Sequence, residues 1–279
     1  MVGFVGDMKL ASLSIGVVVA IVLVVLYASF FSWLFSEWTS NPYYSHGVLV
    51  ALVCAAVILL QRKSVFDRSL WSSDERGLYG VGVGLLLYVV GFVLLFRFVV
   101  GLSFVLLVCG LILLFLGRAV FKKIWFSVLF LLAAIPLPLE YLVSVAVLLQ
   151  GFAVDFSVFF LRLLGVSVEV SGAVICASDV CFEVGLACSG MYSLMALLSL
   201  GCVWAFFLST VWWKKALVVG SSVVFAVFAN GIRVVSIVLV GLWFGQDVAI
   251  FFFHDLSGNR CDLYGIVSRF AGSLRGIRR

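Results

Sequence analysis

Charge is what this sequence has least of. Lys and Arg number 18 and Asp and Glu 13, so charged residues are 11 % of the 279, against about 25 % in soluble domains. Hydrophobic residues make up 65 % and the mean hydropathy is +1.30. A soluble globular domain is excluded, and the chain reads as a polytopic membrane protein. Histidine is almost as scarce, with two residues. Neither has a cysteine and a carboxylate at ligand spacing, so the sequence implies no metal site and no cofactor. No repeat or low-complexity tract breaks the chain. The net charge of +5 sits in short basic clusters between apolar runs, which fits cytoplasmic loops and not nucleic acid.

The apolar runs set the architecture. Leu10–Phe35 is too long for the core of a cleavable signal peptide and reads as a retained first span. A polar turn follows, Ser36-Glu-Trp-Thr-Ser-Asn-Pro-Tyr-Tyr-Ser-His-Gly47, with Trp38, Tyr43 and Tyr44 suited to a headgroup belt. Val48–Leu60 returns across the membrane. Gln61–Gly77 is the longest polar linker. Leu78–Phe96 and Phe98–Gly117 make a helical hairpin with Arg97 at its tip. Arg118, Lys122 and Lys123 mark the next turn. Trp125–Leu137 ends at Pro136-Leu-Pro138, which stops a helix. Leu139–Gly165 carries Glu140, Gln150, Asp155 and Arg162 and reads as an interfacial or re-entrant amphipathic helix. Gly185–Leu208 and Ala216–Phe244 are further spans. Arg260–Arg275 is a poor one, interrupted by Arg260, Asp262 and Arg269. The expectation is an all-α polytopic bundle of about seven or eight transmembrane helices, one domain over 1–279.

Orientation follows from the basic residues. With the N-terminus inside, Lys9, Arg62, Lys63, Arg68, Arg76, Arg118, Lys122, Lys123, Lys214, Lys215, Arg275, Arg278 and Arg279 are all cytoplasmic. With Leu139–Gly165 not spanning, Val166–Val184 is then extracytoplasmic; a span there would move this loop inside and Lys214, Lys215 and the basic tail outside. Its alternation Val166-Ser-Val-Glu-Val-Ser, with Gly172 and the runs Ala173–Ile175 and Phe182–Val184, predicts a small β-hairpin. Cys176 and Cys181 lie in it on the oxidising side. Sequence carries no hairpin geometry, so two free thiols are the favoured reading over a short-loop disulfide.

Three residues stand out against that background. Cys188 in Val184-Gly-Leu-Ala-Cys-Ser-Gly-Met-Tyr-Ser-Leu194 opens an apolar segment. Ser189 and Gly190 leave the sulfur little screened, and a helix starting there would favour the thiolate. The plain reading is a small buried hydrophobe. Arg233 lies inside an apolar run, where a charge is costly unless paired, hydrated or snorkelled. Asn230, three residues before, shares its helical face. The plain reading of Arg233 is a structural pair with Glu183 or Asp155, or snorkelling. His254 closes a run of three phenylalanines; alone it is an ordinary interfacial histidine, and His46 an anchor of its turn. Together, Cys188, Arg233 and His254 supply a nucleophile, an oxyanion donor and a proton carrier, which is the equipment of acyl transfer through a thioester.

Ala187-Cys-Ser-Gly190, Asn230-Gly-Ile-Arg233 and His254-Asp-Leu-Ser-Gly258 resemble, in order and spacing, the exosortase/archaeosortase family of membrane transpeptidases. Asn41-Pro-Tyr-Tyr-Ser-His-Gly47 and Pro136-Leu-Pro138 are similar to that family's early segments. The resemblance implies that Cys188 is the nucleophile and Arg233 and His254 its partners, with Asn230, Ser189, Gly190 and His46 in supporting or substrate-binding places. It implies exported protein substrates bearing a C-terminal signal of short motif, transmembrane helix and basic tail. The acyl group would pass to a cell-surface acceptor, a membrane lipid or glycan. Some archaeal relatives carry arginine where this chain has His254. The chain departs from the family at Arg260–Arg279, where relatives close with a cleaner apolar span. Two other classes fit the composition. A transporter would line a pathway with Arg233 and Asn230, and a non-catalytic assembly factor for surface polysaccharide would make no use of Cys188.

Overall fold

The computed structural model describes residues 16–65, 67–177, 180–245 and 248. The chain divides into two compact units, 1–139 and 140–279, each taken by itself below. Both are helical because lipid offers backbone amides no partner, and a helix satisfies its own.

The first unit opens with α1 (Gly16–Leu26) and α2 (Ala28–Ser40), which meet at 63°. The single span expected over Leu10–Phe35 is therefore a bent pair, with residues 10–15 outside those described. No proline or glycine makes the bend. Tyr27 sits in it fully buried, its hydroxyl bonded to Ser103 Oγ at 2.9 Å. The carbonyl of Leu26, released by the break, accepts from Tyr88 Oη at 2.9 Å.

A 3-10 turn, Pro42–Tyr44, leads to α3 (Gly47–Leu60) and the single-turn α4 (Arg62–Val65). Helices α5 (Arg76–Val93) and α6 (Arg97–Phe115) form the expected hairpin. Arg97 opens α6 instead of capping the tip, and its guanidinium lies 5.2 Å over the Trp33 ring. Helix α7 (Gly117–Phe130) already contains Arg118, Lys122 and Lys123, which were expected to form a turn. Arg and Lys are strong helix formers, so positive charge marks a membrane edge without ending a helix. A 3-10 turn, Leu131–Ala134, then stops before Pro136, as the prolines predict.

That stop is held by the early polar turn. Trp38 Nε1 donates to Ala134 O at 2.8 Å, Leu137 N donates to Tyr44 Oη at 2.9 Å, and His46 Nε2 lies 3.3 Å from Ala133 O. The unit's core comprises Tyr27, Phe30, Leu34, Val100, Val105, Leu107, Val120, Ile124, Val128 and Ile135.

The second unit holds α8 (Leu139–Leu163), strands β1 (Val168–Ser171), β2 (Val174–Ala177) and β3 (Val180–Glu183), then α9 (Met191–Phe207) and α10 (Trp212–Phe244). The strands form an antiparallel sheet in the order β1-β2-β3, one strand more than a hairpin. Cys176 and Cys181 face each other in its register and are joined as a disulfide, against the free thiols favoured from sequence. The β2–β3 turn is tight enough to put the two residues directly opposite. Helix α8 is one unbroken helix of 25 residues, long and apolar enough to cross a membrane, where a re-entrant element was an expected form. Two of its charged residues cost the helix little: Glu140 lies in the first turn and Arg162 in the last, where each complements the helix dipole. Ala153, Val154 and Leu161 of α8, Ile175, Ala177 and Phe182 of the sheet, and Val234 and Val238 of α10 make the core.

Among the described residues, five helices pass as membrane-crossing by length and composition, or six with the bent pair as one span. Helix α9, with 17 residues, is a shorter apolar one. The chain is an all-α polytopic membrane protein with a small sheet ahead of the Cys188 segment, as expected. Apolar side chains such as Leu52, Leu86, Phe92, Leu148, Phe225 and Trp243 are exposed, which suits a lipid-facing surface.

Helices α5 and α6 approach closely through small residues. A side chain at Gly84 would meet the Leu107 backbone at 2.9 Å, and one at Gly80 the Cα of Gly110 at 2.9 Å, whereas Gly82 faces open space. Gly84→Leu and Gly80→Leu should therefore lower the thermal midpoint of the detergent-purified protein or prevent its accumulation. Gly82→Leu should leave both near the parental values, as read by size-exclusion chromatography after a heating series.

Candidate active site

Cys188 ends a 3-10 turn, Leu186–Cys188, that links β3 to α9. Helix α9 begins only at Met191, after Gly190 in the left-handed conformation at φ 89°. The sequence reading placed the thiol at the helix head itself. The thiol instead precedes the first helical residue, so the turn decides its orientation and the dipole acts from further away. Cys188 is half-buried and lies outside any disulfide.

The turn is fixed at both ends by its own backbone and by side chains from two helices. Val184 N donates to Ala173 O at 2.8 Å, which continues the sheet's hydrogen bonding past β3. Gln150 Nε2, from α8, donates to Val184 O. Cys188 N donates to Gly185 O at 2.8 Å and Ser189 N to Leu186 O at 3.2 Å. Asn230 Nδ2, from α10, donates to Cys188 O at 2.8 Å. Ser189 is buried, and its Oγ accepts from Met191 N at 3.3 Å, which caps the start of α9.

Asn230 is 3 % exposed. Its Oδ1 is buried with no hydrogen-bond partner among the described residues. Such an acceptor costs about 1–3 kcal/mol, so a residue kept only for packing would be apolar here. Gly190 is required twice over. Its positive φ suits glycine, and a Cβ there would lie 2.8 Å from Cβ and Cγ of Asn230. Arg233 is half-buried on α10, one turn beyond Asn230 on the same face, with its Nε atom buried.

The two central motifs, Ala187-Cys-Ser-Gly190 and Asn230-Gly-Ile-Arg233, thus meet through the Asn230–Cys188 hydrogen bond, between residues 42 apart in sequence. His254 and the motif around it lie outside the described residues. His46 belongs to the first unit, where it anchors its turn on Ala133. Gln150 was noted in the sequence only as a polar residue in an awkward helix; a neutral amide amid apolar residues was the one signal of its role. No group of three or more His, Cys, Asp and Glu that could hold a metal occurs among the described residues.

The fold and site define a polytopic helical membrane protein in which a cysteine turn is bonded to an asparagine of a membrane helix. The chain belongs to the transmembrane exosortase family, whose model (Exosortase_EpsH) matches residues 38–268. That is a family of membrane transpeptidases and proteases. No curated protein and no solved structure matches the chain.

The Gly190 geometry generates a direct expectation. Gly190→Ala should be destabilised by on the order of 1–3 kcal/mol through the left-handed backbone alone, with the contact to Asn230 adding to it. A lower thermal midpoint and faster proteolysis of the α9 N-terminal region would show this. His46→Ala should lower the midpoint less, since a single hydrogen bond of about 1 kcal/mol is lost.

Proposed function

We propose that this protein is a cysteine transpeptidase that cleaves the C-terminal sorting signal of exported proteins and passes the acyl group to a cell-surface acceptor. The observation that carries the reading is the hydrogen bond joining the Cys188 turn to the helix of Arg233, in a chain of the exosortase family.

The Cys188 thiolate attacks the scissile carbonyl, and its electron pair forms the C–S bond while the carbonyl π electrons move to oxygen. In many acyl-transfer enzymes the nucleophile's own amide holds that oxyanion. Here the amides of Cys188 and Ser189 are already donated inside the turn. This favours Arg233 as the donor, a fixed positive fork in a water-poor setting. The C–N bond then breaks, and the leaving amine takes a proton, for which His254 is the proposed source. The thioester is attacked by the acceptor nucleophile, which gives up its proton to the same imidazole, and Cys188 is released. Ser189, Gly190 and Asn230 hold the turn, and His46 supports its own unit. The substrate is an exported protein ending in a short motif, a transmembrane helix and a basic tail; a membrane lipid or glycan is the acceptor.

The site faces the extracytoplasmic side in this reading, which takes α8, though long enough to cross, as an element that does not. The Cys176–Cys181 disulfide close to Cys188 in sequence supports that side, since disulfides persist in oxidising compartments. A membrane-impermeant thiol reagent on intact cells should label a cysteine introduced at Ser171 and leave one at Ser69 unlabelled; the reverse pattern would refute the orientation.

Processing of a co-expressed substrate with such a signal tests the chemistry. Cys188→Ala and Cys188→Ser should leave it uncleaved. Arg233→Ala should lose on the order of 10²-fold or more, and Arg233→Lys should retain part of the rate. The pH profile of the purified enzyme should show a limb near about pH 6–7 that His254→Ala removes and His46→Ala keeps. Parental processing by a Cys188→Ala protein that accumulates normally would overturn covalent catalysis.

A further inference from the structure

The amide of Asn230 is oriented by a task that packing does not explain. One end donates to the Cys188 carbonyl at 2.8 Å, and the other is buried with no hydrogen-bond partner among the described residues. The side chain is also pressed against Gly190, whose missing Cβ leaves the room it occupies. So the Cys188 carbonyl and the bare Gly190 both meet one asparagine on α10. The amides of Cys188 and Ser189 bond within the turn, and Gln150 holds its entry at Val184. Asn230 is thus the contact between the nucleophile's own peptide group and the helix bearing Arg233.

We infer that Asn230 is a positioning residue: by donating to the carbonyl of Cys188 it sets the rotation of the Cys188–Ser189 peptide, and with it the place of the thiol relative to Arg233. The inference rests on the reading of Cys188 as nucleophile. Asn230 touches no reacting atom. It acts through the peptide it holds, so its loss misplaces the sulfur without removing any group that makes or breaks a bond. Misplacement of about an ångström is enough to cost on the order of 10²-fold in rate.

The test uses the full chain in detergent, with Cys54, Cys109, Cys202 and Cys261 replaced by alanine so that Cys188 is the thiol read by iodoacetamide. Asn230→Ala should slow substrate processing by on the order of 10²-fold and change the rate of Cys188 alkylation without moving its pH dependence. Asn230→Asp separates positioning from bulk. Its ionised carboxylate has no hydrogen for the Cys188 carbonyl, while its protonated form has one. Processing by Asn230→Asp relative to the parent should therefore rise as the pH falls from about 7.5 to about 5.5, whereas the ratio for Asn230→Ala stays flat. Each variant is compared with itself across pH, so poor accumulation does not blur the result. Parental processing and alkylation by Asn230→Ala, or a flat ratio for Asn230→Asp, would overturn the inference. If Cys188→Ala is inactive in the same assay while the Asn230 variants behave as the parent, only this inference fails. If Cys188→Ala processes substrate, the functional reading beneath it fails.

Discussion

A carbonyl released where a helix breaks has to find a donor, and in a chain this poor in charge and this apolar it cannot rely on water. Several breaks in this structure are answered by a side chain from elsewhere in the same unit. Tyr88 reaches Leu26 at the α1–α2 bend, and Trp38 reaches Ala134 before the two prolines. Trp71 Nε1 takes the Val65 carbonyl at the end of α4, at 2.9 Å. Gln150 takes Val184, and Asn230 takes Cys188, at the two ends of the cysteine turn. The cysteine turn is thus built by the same device that lets the scaffold bend. What differs is the donor. Tyrosine and tryptophan bring a large apolar body that fills the break, while the small amide of Asn230 keeps a buried acceptor without a partner among the described residues.

Much of the scaffold was legible because lipid imposes simple rules. Runs of apolar residues became helices, Pro136 and Pro138 ended one, and the alternation from Val166 became strand. The elements that were misread depend on contacts with no local signature. Nothing near Tyr27 breaks a helix by propensity; the bend is sustained by Ser103 and Tyr88, more than sixty residues away. The cluster at Arg118, Lys122 and Lys123 looked like a turn because charge marks the membrane edge. Its residues are good helix formers, and only Gly117, at φ 83°, marks the true start. The cysteine pairing required the β2–β3 register, which sequence does not state.

Of the candidate site, the residues that share one unit were legible and come together. Cys188, Ser189, Gly190, Asn230 and Arg233 were picked out as a small-residue turn and a polar face inside an apolar helix; the fold joins the turn to Asn230, and Arg233 follows one turn later on the same helix. The left-handed Gly190 interposes a corner between Cys188 and α9, so the cysteine stands in a hydrogen-bonded turn ahead of the helix and not at its head. Gln150 was seen but not understood, because its partner is a backbone carbonyl and leaves no mark in the sequence.

The disulfide has a bearing on anyone who handles the protein. Cys176 and Cys181 are oxidised while Cys188, seven residues after Cys181, is a free thiol, the form the proposed chemistry requires. One short segment therefore holds sulfur in two redox states. Reductant added to protect the thiol attacks the bridge, and oxidant added to form the bridge consumes the thiol. The route by which the chain is oxidised has to close one pair and spare a close neighbour, so the order of thiol pairing during membrane insertion decides how much of a preparation is competent.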